Sequence, residues 1–67
     1  MRANAVNTYR VYFFGAGDRI IQRHDFEAVD DAEAITRAEA LCRERPECIA
    51  IEIWQAFRLL HVQARAA

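Results

Sequence analysis

Three features of the 67-residue chain predict an α+β fold in the order ββαββ. The stretch from Asp30 to Arg45 carries a helical period, and the segments on either side alternate in period two, as strands do. Glycines and a proline stand at junctions between these segments, where the chain must change direction.

In the helical stretch, Ala34, Ile35, Ala38, Leu41 and Cys42 recur at spacings of three and four and form one apolar stripe. Asp31, Glu33, Arg37, Glu39, Arg43 and Glu44 point away from it. Asp30 is placed as an N-cap with Glu33 three residues on, the spacing of a capping box. Pro46 disfavours helical geometry at Arg45, so the helix should end near Glu44. Glu33 with Arg37 and Glu39 with Arg43 have the spacing of ion pairs worth about 0.2–0.5 kcal/mol each, which serve solubility.

Before the helix, Thr8 to Phe14 reads as a strand with Tyr9, Val11 and Phe13 on one face and Arg10, Tyr12 and Phe14 on the other. Gly15 to Asp18 forms a turn in which both glycines are free to take positive φ. Arg19 to Val29 is a second strand; Ile20, Phe26 and Ala28 share one parity while Ile21 goes with Arg23, Asp25 and Glu27, which suggests a bulge near Gln22. After the helix, Cys48 to Gln55 is a third strand, with Ile49, Ile51 and Ile53 directed at the helix and Ala50, Glu52 and Trp54 directed away. Arg58 to Ala64 is a fourth, with Leu60 and Val62 on one side and Leu59, His61 and Gln63 on the other. Residues 55–57 must reverse the chain without a glycine, which is unusual for a tight hairpin.

The directions of these elements set the topology. The helix returns the chain so that the third strand runs antiparallel to the first, giving a four-stranded antiparallel sheet of order 2-1-3-4 with a right-handed crossover and the helix on one face. The chain thus divides into a mobile arm (residues 1–7), one α+β domain (8–64) and a tail (65–67).

Composition sets further bounds. A domain of this size buries only about 60 % of its unfolded surface, so self-association is a reasonable way to gain stability. The net charge of −1 excludes bulk electrostatic attraction to nucleic acid or to an anionic membrane. All nine basic residues are arginine. Neither a signal-peptide core nor a run of about 18 apolar residues is present, so a cytoplasmic protein without a membrane span is expected. In that compartment Cys42 and Cys48 are expected as reduced thiols, although the turn at 43–47 lets them approach each other.

Tyr9-x-Val11-x-Phe13, Phe26-x-Ala28-x-Asp30-Asp31 with Ala34, and Glu52-Ile53-Trp54-Gln55 followed by Arg58-Leu59 resemble a group of short uncharacterised proteins of alphaproteobacteria such as rhizobia. The resemblance implies a bacterial cytosolic protein and carries over no catalytic residues. In that group a glycine often follows the Trp-Gln pair, where this chain has Ala56. A fainter similarity is to the HicB-type antitoxins, whose small sheet precedes an acidic, alanine-rich helix start; their usual glycine-containing third strand before the helix is missing here.

Chemistry-bearing groups are few. Gly15-Ala16-Gly17 lacks the third glycine and the following helix of a dinucleotide fingerprint. His24 and His61 fall on opposite edge strands, about 14 Å apart by strand spacing, which is too far for shared zinc ligation. Cys48 with His61 lacks an oxyanion hole and a walled pocket, and the Asp30-Asp31 pair is accounted for by helix capping and the helix dipole. No catalytic residue, cofactor or metal is expected.

The sheet face away from the helix is not polar, although a face open to water should be. Arg10, Tyr12, Phe14, Arg23, Glu52 and Trp54 are therefore the candidate interface, with aromatic residues at its centre and charged ones as a rim. The expected function is protein association without catalysis, most simply a homodimer through this face or through a sheet edge. The alternative is a nucleic-acid-binding or antitoxin-like regulator using the same arginines and aromatics, against which Asp25, Glu27 and Glu52 weigh. A third possibility is that Tyr12 and Trp54 only stabilise the sheet as a cross-strand pair, partly covered by the arm.

Overall fold

The structure, a computed structural model, describes residues 6–64. Most of the expected arm and the tail at 65–67 lie outside the described residues. The elements are β1 (Asn7–Phe14), a 3-10 turn (Ala16–Asp18), β2 (Ile20–Ala28), α1 (Asp31–Arg43), β3 (Ala50–Gln55) and β4 (Arg58–Ala64). They form one antiparallel sheet of order β2-β1-β3-β4 with α1 on one face, the ββαββ fold that the sequence predicts.

The helix forms where its caps place it. Asp30 accepts from the Glu33 N–H at 2.8 Å, and the Glu33 carboxylate accepts from the Val29 N–H at 2.8 Å, one residue further back than a standard capping box. Ala34 and Ala38 are fully buried; their small side chains let the helix axis come close to the sheet. The expected ion pairs of Glu33 with Arg37 and Glu39 with Arg43 do not form, because the sheet offers better partners. Arg37 lies over the Phe26 ring at 5.0 Å and donates to the Glu27 carbonyl, while Glu39 meets the His61 ring at 3.1 Å. Arg45, just past the helix, lies over the Phe13 ring at 4.8 Å and donates to Gln22 at 2.8 Å. Long side chains thus close the gap between a narrow helix and a wider sheet.

The core is Tyr9, Val11 and Phe13 of β1, Phe26 and Ala28 of β2, the helix stripe, Cys48, and Ile51 and Ile53 of β3. Tyr9 is the polar exception. Its ring is buried while its hydroxyl donates to Asp31 at 2.8 Å, so desolvation first and that hydrogen bond second raise its pKa above 10.0.

Two bulges change which residues face the helix. Phe13 pairs with Gln22 but Phe14 with Ile20, leaving Ile21 as an extra residue. Ile21, expected on the open face, turns to the core, and Ile20 takes its place outside with half of its surface exposed. In β4, Ile53 pairs with His61 but Trp54 with Leu59, so Leu60 is extra. Leu60 and His61 therefore sit on the helix side, and Val62, expected beside Leu60, is on the open face.

The approach to β3 also differs from expectation. Cys42 and Cys48 form a disulfide with a Cα–Cα distance of 5.5 Å, in place of the expected reduced thiols. The bond ties the helix end to the chain before β3 and makes Cys48 the inward residue, so the alternation breaks and Ile49 is exposed instead of facing the helix. The Ile49 N–H donates to the Phe14 carbonyl at 2.8 Å and aligns β3 on β1.

The turns are tight. Gly17 and Asp18 take positive φ in the first reversal; Gly15 does not, and a Cβ there would lie 3.0 Å from Ile21. The second hairpin has only Ala56 and Phe57 between the Gln55–Arg58 pair, with Ala56 at φ 54°. An alanine in the left-handed region is strained by about 1 kcal/mol. Ala56→Gly is therefore expected to stabilise the fold by about 1 kcal/mol, read as a higher denaturant midpoint at unchanged slope. Reducing the disulfide, which closes a loop with a sequence separation of 6, is expected to remove about 2 kcal/mol on the chain-entropy estimate. Denaturation with and without thiol, with the redox state checked by mass, measures that loss.

Candidate functional site

The sheet face opposite the helix is built from strand residues that share a register. In one row across the sheet, Asp25, Arg10, Trp54 and Leu59 are cross-strand neighbours; in the next, Arg23, Tyr12, Glu52 and Val62; in the third, Ile20, Phe14, Ala50 and Ala64. Paired residues point to the same side, so all twelve share this face. The bottom of the face is a shallow trough of about 690 Å³, lined by Thr8, Arg10, Tyr12, Phe14, Ile20, Asp25, Glu52, Trp54, Ala56 and Phe57.

Five of the six residues expected from the sequence meet in this trough: Arg10, Tyr12, Phe14, Glu52 and Trp54. Arg23 lies on the same face beside Tyr12 but outside the lining. Tyr12, Phe14, Glu52 and Trp54 are half-buried by their neighbours, while the larger exposed apolar surface comes from residues the sequence did not single out. Ile20, Leu59 and Val62 are each about half exposed, and Phe57 at the hairpin tip is 99 % exposed. The clash of parities around Gln22 pointed to one bulge and the adjacent Leu59-Leu60 pair was a sign of the other; together they would have placed Ile20, Leu59 and Val62 outside. Phe57 had no signal beyond its place in a turn.

The charged groups pair locally. The Arg10 guanidinium meets Asp25 with two hydrogen bonds, Nε to Oδ1 at 2.8 Å and Nη2 to Oδ2 at 3.1 Å. That contact holds the Asp25 carboxyl below its ordinary 3.8, against a smaller opposing effect of desolvation, and raises the pKa of Arg10 further. The Trp54 indole N–H donates to Glu52 at 3.1 Å, which fixes the ring against the sheet. With Glu27 opposite Thr8, the face carries two arginines, Arg10 and Arg23, and three carboxylates, Asp25, Glu27 and Glu52, so it is slightly acidic.

No other cluster competes. Among the described residues no group of three or more potential metal ligands converges, and no helix is long and apolar enough to cross a membrane. His24 stacks on Phe26 at one edge and His61 is held by Glu39 and Gln63 at the other. Cys48 is in a disulfide and is not a free thiol. No protein-family model, curated protein or solved structure matches this chain.

The Arg10–Asp25 pair gives a pH dependence with a defined sign. Because the folded pKa of Asp25 lies below 3.8, the pair contributes stability above that value and loses it as pH falls through the folded pKa. Asp25→Asn is expected to flatten this part of the acid limb of stability. Carboxyl NMR titration should show Asp25 ionising below its ordinary value of 3.8.

Proposed function

We propose that this chain is a non-enzymatic association module that forms a homodimer through the open face of its sheet. The observation that carries the reading is the set of exposed apolar side chains on this face, Phe57, Leu59 and Val62 at one margin and Ile20 at the other, around half-buried Tyr12, Phe14 and Trp54. Such a patch on a soluble domain marks a contact site. A second copy suits it because the face carries both signs of charge, Arg10 and Arg23 with Asp25, Glu27 and Glu52, so two copies bring opposite charges to each other without a large excess of either. A polyanion would find Arg10 already held by Asp25 and a carboxylate beside the central aromatics, which argues against nucleic acid.

The same reading places the protein in the bacterial cytoplasm, in keeping with the rhizobial-type resemblance. There the disulfide meets a reducing thiol pool, and the near-complete burial of both cysteines slows exchange. Homodimerisation also supplies the surface burial that a domain of this size lacks on its own.

Trp54 is the only tryptophan and lies on a central strand of the face, so it reports directly. Its emission should be blue-shifted in concentrated protein and move to the red on dilution. Trp54→Ala should weaken the dimer by roughly 30-fold or more, as truncation of a central aromatic does. Sedimentation equilibrium showing the same oligomeric mass for this variant and the native chain would sink the proposal.

A further inference from the structure

Resting on the homodimer reading, we infer that the two copies meet across a two-fold axis parallel to their strands, and that Phe57 of each closes over Thr8 and the Arg10–Asp25 pair of the other. A symmetric contact between two identical faces needs an axis lying in the plane between the sheets. Two orientations lay the three rows that cross all four strands fully over one another.

An axis across the strands turns the central row onto itself. Arg23 then faces Arg23 of the second copy, and Glu52 faces Glu52. Like charges meet in a closing interface, which opposes association.

An axis along the strands lays β1 over β3 of the second copy. Arg10 falls over Trp54, where a guanidinium is attracted to an indole face. Tyr12 falls over Glu52, a phenol beside a carboxylate that can accept from it. Phe14 falls over Ala50, a large ring over a small side chain. In this orientation the β3–β4 hairpin tip lands at the end of β1 and β2 of the second copy, where Thr8 pairs with Glu27 and the Arg10–Asp25 pair is the next row in. The Phe57 ring, 99 % exposed in one copy, then covers an ion pair whose two side chains are 44 % and 50 % exposed.

The area needed decides the role of Phe57. Four strands about 4.8 Å apart, over about six residues at ~3.3 Å each, present about 380 Å² per copy, or about 760 Å² for two. A specific interface needs about 1,000 Å². Burying two Phe57 rings adds about 300–500 Å², which carries the contact past that threshold. Aligned sheet packing, with faces about 10 Å apart and strands about 30° off parallel, leaves this correspondence of ends intact.

The experiment is site-directed disulfide trapping between two single variants mixed in equal amounts, so that a link within one chain cannot contribute. Phe57→Cys mixed with Thr8→Cys should give a covalent heterodimer under mild oxidation, separable on a non-reducing gel and identified by mass. Leu59→Cys mixed with Ala64→Cys should not, since those positions, one row to either side of the Glu52–Val62 row, meet only under the axis across the strands. The reverse pattern, or no heterodimer in either mixture while sedimentation of the native chain still shows a dimer, overturns the inference and leaves the homodimer reading standing. A native chain that stays monomeric at every concentration overturns that reading itself.

Discussion

A single helix covers only one face of a four-stranded sheet, and most of this structure follows from that limit. An α-helix with its side chains is about 10–12 Å across, whereas four strands span about 19 Å. The helix lies over the sheet on alanines, which brings the two close at the centre, and Arg37 and Arg45 extend sideways over Phe26 and Phe13 to cover what the helix cannot reach. The opposite face has no such layer. It carries its own aromatic residues, fixed by local contacts such as Trp54 with Glu52 and Arg10 with Asp25.

The two bulges convert this one-sided cover into a shaped surface. Each inserts one residue into an edge strand, so each moves one apolar side chain inward and sends another outward. Ile21 and Leu60 join the core, and Ile20, Leu59 and Val62 are left on the open side. The edge strands would otherwise present a simple alternation. Instead the open face gains Ile20 at one margin and Leu59 and Val62 at the other, beside the aromatic residues of its centre.

The disulfide belongs to the same geometry. It joins the helix end to the chain entering the central strand, and Ile49 then reaches back to Phe14 at the far end of the trough. The closure that holds the helix on one face therefore also fixes one end of the other face. At the opposite end Ala56 takes a strained backbone so that the hairpin can be two residues long, and that short loop is what projects Phe57 clear of the sheet.

Periodicity and caps were enough to determine the elements, the order of the strands and, apart from Cys48 and Ile49 at the entry to β3, the residues of the two central strands on each face. These are decided within a strand or a helix turn, where side-chain direction follows from residue spacing alone: Tyr9, Val11, Phe13, Ile51 and Ile53 point inward because every second residue must. The tertiary structure decided what depends on pairing between strands. A bulge is a property of two strands in register, so the facing of Ile20, Ile21, Leu60 and Val62 was fixed only when each edge strand met its central neighbour. The disulfide likewise required the helix end and the start of β3 to arrive 5.5 Å apart at their Cα atoms. The exposure of Phe57 depended on a turn that the residue types alone do not favour, held in place by the pairing of the strands on either side of it.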